Sequence, residues 1–257
     1  MVRRQVLAKT VLTKTRIPGH DYCVNPYVGC EHGCRYCYAR FMRRFTGHVE
    51  PWGEFVDVKA NAPEVLRRQL RRARRGSVLV GTVTDPYQHA EKHFRVTRGC
   101  LEALLERQFP ASVLTRSPLC VRDVDLFRGF ESISVGLSIT TDRDDMRRLL
   151  EPRAPSIPSR LEALRELHAA GVPTYVFAGP LLPMDPARFV QLVGCSADEI
   201  LIDRLNYSDR VKALYRWAGV ERHLEDRYFE ETAADLRRRF EAAGTTVSVL
   251  FPHGPRT

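Results

Sequence analysis

The 257-residue chain predicts an α/β fold built on a parallel sheet, and three observations carry that prediction. Short, nearly continuous apolar and β-branched runs recur along the chain, as strands buried on both faces require. Longer stretches with helical spacing separate them, as crossovers between parallel strands require. The length suits one barrel-sized α/β domain or two smaller ones.

The strand series begins with a short strand before Cys30. Residues 78–84 (VLVGTVT) form the second, with a helix near 97–108 behind it. Residues 112–115 are the third, followed by a helix around 119–129. Residues 133–139 (ISVGLSI) are the fourth, followed by helices near 143–150 and 158–170. Residues 173–178 and 199–203 supply the fifth and sixth, with 186–193 helical between them. Residues 63–75 read as a helix with Pro63 in its first turn, a place proline tolerates. Residues 208–242 read as two charged helices joined near 220–223, and 245–251 as a last strand-like run. No linker, repeat or low-complexity tract interrupts the pattern. The organisation read from it is a barrel domain over residues 1–207 and a helical extension over 208–257 packed against it.

Cys30, Cys34 and Cys37 carry the chemistry. They stand as C-x3-C-x2-C beside Gly29 and Gly33. Three soft thiolates so close together suit three irons of a cubic cluster, and leave a fourth iron open to another ligand. Glycines let such a loop turn sharply and pass close to inorganic sulfide. A structural zinc site, completed by Cys23, His32 or His20, is the other reading. Zinc sites more often come as two paired halves, and no second pair follows here.

The loop, with the aromatic Tyr36 just before its last cysteine, resembles that of the radical S-adenosylmethionine (SAM) superfamily. Further segments, Thr84-Asp85-Pro86-Tyr87-Gln88, Ser138-Ile139-Thr140-Thr141 and Glu151-Pro152-Arg153-Ala154-Pro155, are similar to the spore photoproduct lyase-like branch. The resemblance covers roughly residues 20–185 and implies a partial (β/α)6 barrel with its site at the C-terminal ends of the strands. It implies a [4Fe-4S] cluster on Cys30, Cys34 and Cys37, and SAM as the second cofactor. Cofactor contacts would come from Tyr36 and Tyr38, from Ser138 and Thr140, and from Glu151 and Arg153. Thr82, Asp85 and Tyr87, at the end of the second strand, would face the substrate. A photodimer lyase of this branch carries a hydrogen-donating cysteine there, and this chain has Thr82 or a neighbour instead. Asp85 also has a plainer reading as a turn cap, and Glu151-Pro152-Arg153 as a surface ion pair. His32 reads as a packing residue, Cys100 as the opening of a helix, and Cys120 and Cys195 as buried small hydrophobes.

Charge and composition bound the partners. The net charge is +9, and Arg67 to Arg75 form the densest basic stretch, so a nucleic acid is one candidate partner. A small molecule, a nucleotide or nucleoside among them, is the other. The resemblance adds a flavodoxin- or ferredoxin-type electron donor. No apolar run reaches membrane-spanning length. Seven cysteines, three of them clustered, do not read as a disulfide framework, so a reducing cytoplasmic setting is expected. Three functions follow in order: a radical SAM enzyme acting on a small substrate, a lyase-like enzyme acting on DNA or RNA, and a zinc-stabilised nucleic-acid-binding module without catalysis.

Overall fold

A computed structural model describes residues 1–251; residues 252–257, the end of the expected C-terminal extension, lie outside the described residues. The chain opens with β1 (Val2–Val6), β2 (Leu12–Lys14), β3 (Tyr22–Val24) and β4 (Tyr27–Val28). A 3-10 turn (Tyr38–Phe45) precedes β5 (Phe55–Lys59) and α1 (Ala62–Leu70). Then come β6 (Val78–Val80), α2 (Glu91–Phe94), α3 (Val96–Leu105), β7 (Ala111–Thr115), α4 (Val124–Phe127) and β8 (Ile133–Ser138). The second half contains α5 (Asp144–Leu150), α6 (Ile157–Ala169), β9 (Thr174–Ala178), α7 (Pro186–Val193) and β10 (Glu199–Ile202). It closes with α8 (Lys212–Trp217), α9 (Asp226–Ala242) and β11 (Thr246–Val249).

One sheet holds the molecule together in the order β11-β10-β9-β8-β7-β6-β3-β2. Neighbours from β3 to β11 run parallel, and only β2 on β3 is antiparallel. Among the described residues β2 and β11 pair with no further strand, so the barrel is partial. Val80, Val113, Val135 and Val176 are fully buried in their strands, which explains their β-branched, non-alternating sequence. β11 joins the sheet beside β10, so the last segment contributes a strand to the core as well as two helices.

Three differences from the expected elements have local causes. The second strand stops at Val80 because Gly81 takes φ +97 and the Asn25 side chain captures the amides of Thr82 and Val83, both at 2.9 Å. The basic helix ends at Leu70, leaving Arg71 to Arg75 in the turn that leads into β6. Cys195 is exposed rather than buried, in the turn after α7. A second sheet, β1-β5-β4, has no counterpart in the expected list, because its strands are short and mixed in polarity.

Candidate active site

The second sheet exists to carry the cysteine loop. Gly29, just after β4, has φ +89, and a Cβ there would stand 2.3 Å from the Phe55 carbonyl oxygen of β5. Gly33 has φ +62 and faces Gly53, where a Cβ would stand 2.8 Å from the Gly33 Cα. Glycine is required at these contacts because backbone meets backbone. Cys30 and Cys34 are buried and Cys37 is partly so, and all three line one cavity of about 180 Å³ that opens to solvent. Burial pushes every thiol up, Cys34 to about 12 with Arg116 acting downward and Glu151 upward. Such thiols become thiolates only against a strong cationic partner such as a metal. Among the described residues no three of His, Cys, Asp and Glu converge as a single ion requires. Three thiols on the wall of one cavity are the soft donor set that a multi-iron cluster takes.

The rest of the cavity is built from strand ends. Gly81 to Asp85 follow β6, Leu114 and Arg116 end β7, and Ser138 ends β8. Phe177, Gly179 and Pro180 come from β9 and its end, and Asp203 to Tyr207 follow β10. Of the expected site residues, Tyr36, Tyr38, Thr82, Asp85 and Ser138 line it together with the cysteines. Ser138 is buried, and its Oγ has no hydrogen-bond partner, which leaves it available to a ligand.

Asp85 faces inward as a fastener. Its Oδ1 accepts from the Tyr87 amide (2.9 Å) and from Thr115 Oγ1 (2.6 Å). Its Oδ2 accepts from the Arg116 amide (2.7 Å) and lies 3.1 Å from His32 Nε2. Burial alone would raise this carboxyl, but His32, Thr115 and Arg116 outweigh it and hold it at about 2. His32 is buried on the cysteine loop, so the pair ties that loop to β7.

Glu151 lies just behind the cavity wall and is fully buried. Its Oε1 accepts from the Tyr36 hydroxyl, from Thr140 Oγ1 (2.9 Å) and from Arg116 Nε (3.3 Å), while Oε2 accepts from Arg160. Burial opposes its charge, yet Arg160 and Arg116 hold it well below the usual carboxylate range. Arg160, wholly buried, also donates to the Ser138 carbonyl (2.9 Å).

Four expectations are therefore corrected in place. Thr140 and Glu151 are spent on this buried network and do not line the cavity. Arg153 lies outside the cavity, donating to the Gly53 carbonyl. Tyr87 is buried in the core with its hydroxyl on Asp123 (2.9 Å). Arg116, Arg160, Asn25 and Trp52 were missed; Asn25 sat in the cysteine motif, whereas a lone arginine gives no sequence signal of burial.

Comparisons with known proteins agree with this geometry. The family model described as the Radical SAM superfamily matches residues 24–193. An uncharacterized protein of Methanocaldococcus jannaschii is 37% identical over 70% of this chain and 67% of its own length. One of Mycobacterium tuberculosis is 36% identical over 70% of this chain and 56% of its own length. A radical SAM Nalpha-GlyT isomerase of Pseudomonas phage M6 is 26% identical over 62% of this chain and 32% of its own length. Among solved structures, a spore photoproduct lyase complexed with a dinucleoside spore photoproduct superposes with a TM-score of 0.73 at 13% identity. That match covers 97% of this chain and 82% of the lyase. SuiB of Streptococcus suis bound to SAM gives 0.60 at 16% identity, over 90% and 50%. These two likenesses are of fold.

Proposed function

The chain belongs to the radical SAM superfamily and is an enzyme, and from that premise we propose that it abstracts hydrogen from a small organic substrate of nucleotide or nucleoside type. When bound, a [4Fe-4S] cluster supplies the electron that cleaves SAM to a 5′-deoxyadenosyl radical. The observation that carries the proposal is one cavity lined by all three cysteines and by the unpartnered Ser138 hydroxyl at the strand ends. Cys30, Cys34 and Cys37 would hold the cluster. Ser138 and the Arg116 guanidinium, which also donates to the Tyr36 hydroxyl at 3.1 Å, would orient SAM, since arginine offers a fork to carboxylates. Tyr36 and Tyr38 would flank it. Thr82 and Asp85 stand at the substrate side, Asp85 as a positioning residue. Phe177 and Tyr207 offer rings, and Asp203 and Asn206 polar groups, of the kind a base and ribose use.

The family disposes of the zinc-stabilised module without catalysis. Anaerobic reconstitution with iron and sulfide should give a brown protein that forms 5′-deoxyadenosine from SAM when reduced, with the rate raised by the right nucleotide. Cys30→Ala should abolish that formation; cleavage that survives the substitution would overturn the cluster assignment.

A second reading, a nucleotide held within a DNA or RNA strand, is favoured by one surface. Residues 35–49 contain four arginines and no acidic residue. Along the 3-10 turn that leaves Cys37, Tyr38, Phe41 and Phe45 are exposed. Arg44 lies over the Phe41 and Phe45 rings at 5.5 and 5.0 Å. Across the mouth, Arg210 donates to the Cys37 carbonyl and lies over Tyr207 at 4.4 Å. Exposed rings interleaved with arginines are how sequence-tolerant sites hold single strands. The basic stretch at 71–75 sits at the N-terminal end of β6, opposite the cavity, and its Arg75 is paired with Glu131 (2.9 Å). Charge reversal at Arg40 and Arg44 should weaken binding of a labelled oligonucleotide at least tenfold and flatten its salt dependence. The same reversal at Arg71 and Arg74 should leave it unchanged. Equal losses from both pairs would remove this reading.

A further inference from the structure

Trp52 stands in the loop between the 3-10 turn and β5. It is 8% exposed and packs in a small apolar cluster with Cys30, Ala39 and Phe55, with Cys37, Met42 and Val83 at its edge. Its ring meets Phe55 edge-on at 6.0 Å, and it lines the same cavity as the cysteines. The indole Nε1–H is buried and has no hydrogen-bond partner. A buried donor left without an acceptor is costly, and native proteins rarely leave one so. Sulfur is the acceptor chemistry among the side chains of this cluster, and Trp52 Nε1 makes no bond to the weakly accepting Met42 thioether at its edge, which leaves the sulfur held by the cysteines. The next residue, Gly53, presses against Gly33 of the cysteine loop, and its carbonyl is held by Arg153. Trp52 is thereby fixed relative to the cysteines by backbone contact.

We propose that Trp52 donates its indole N–H to a sulfur of the cluster held by Cys30, Cys34 and Cys37 and so sets the cluster's reduction potential. The inference rests on the cluster reading above. Reduction adds one negative charge to the cluster and makes its sulfurs better acceptors. A donor aimed at them stabilises the reduced form and raises the potential. The surrounding apolar side chains strengthen the effect by keeping water away. Trp52 acts as a positioning and tuning residue for electron entry, upstream of any contact with substrate.

The test uses the anaerobically reconstituted 257-residue chain and an EPR-monitored redox titration with dithionite. Trp52→Phe keeps the ring and removes the donor. At unchanged iron content its midpoint potential should shift to a more negative value, and Trp52→His, which restores an N–H, should recover part of the shift. An iron-loaded Trp52→Phe protein with the wild-type potential overturns the proposal. Should Trp52→Phe fail to load iron, the wild-type protein carrying indole-15N tryptophan decides. Its reduced cluster should show a 15N coupling by ENDOR, because the second tryptophan, Trp217, is 80% exposed on α8 and cannot supply it. Absence of that coupling also overturns the proposal. Wild-type protein that assembles no cluster overturns the parent reading as well, which separates the two failures.

Discussion

Asp85 and His32 illustrate how a residue in a candidate motif serves the site by holding it. The carboxylate satisfies two backbone amides and a threonine hydroxyl from neighbouring segments and lies beside an imidazole on the cysteine loop. Its pKa is depressed from an ordinary 3.8 to about 2. The stabilisation this represents is therefore present above pH 3.8 and is lost as pH falls toward 2. The size is about 2 kcal/mol. Asp85→Asn should lower stability at neutral pH by at least that amount and remove the corresponding acid-limb slope, read from urea unfolding between pH 2 and 6. An unchanged slope would mean that another carboxylate carries it. At the same scale, Glu151 and Arg153 look alike in sequence, two residues apart around a proline, yet one is fully buried and the side chain of the other is 45% exposed. Nothing local distinguishes them. Glu151 is buried because Arg160, nine positions later on α6, and Arg116, on another strand end, converge on it.

At the scale of elements, the cysteine loop is shaped from outside its own sequence. Gly29 and Gly33 belong to the motif, but Gly53 lies well beyond it and supplies the other half of the backbone contact. Gly53→Ala would force an L-residue to φ +96 and set a Cβ 2.8 Å from the Gly33 Cα, strain of order 1–3 kcal/mol before the clash. Iron retained after reconstitution should fall severalfold. Gly19→Ala is the comparison: φ is also positive, at +80, but nothing lies within 4 Å of the added carbon. It should lose about 1 kcal/mol of stability and keep its iron. Equal iron in the two variants would show that the Gly33–Gly53 contact does not shape the loop.

At the scale of the whole molecule, one sheet runs from β2 to β11, and the C-terminal segment takes part in it. Val247 and Phe251 are buried against the core, and the Leu250 amide donates to the Ile202 carbonyl (2.9 Å). Ending the chain at Gly244 should cost about 4 kcal/mol from those two side chains alone. That corresponds to a fall in melting temperature of roughly 10 °C, followed by circular dichroism. A truncated chain that melts at the wild-type temperature would make the last strand dispensable.

Much of the fold was legible because parallel strands buried on both faces write themselves as continuous apolar runs. Residues 133–139 and 186–193 mark β8 and α7 to within a residue. The family was legible because ligand spacing along one short loop is a local property. What the linear pattern does not contain is which polar groups meet. Gly33 faces Gly53, Arg116 and Arg160 neutralise Glu151, Asn25 ends β6, and Thr140 and Tyr87 turn away from the cavity; each depends on segments far apart in the chain. The sequence by itself determined the family, through one short cysteine loop, and the kind of parallel α/β sheet that carries that loop. Only the tertiary structure decided which side chains face the cavity and which hold its wall, because burial and hydrogen-bond satisfaction depend on long-range contacts rather than on local spacing.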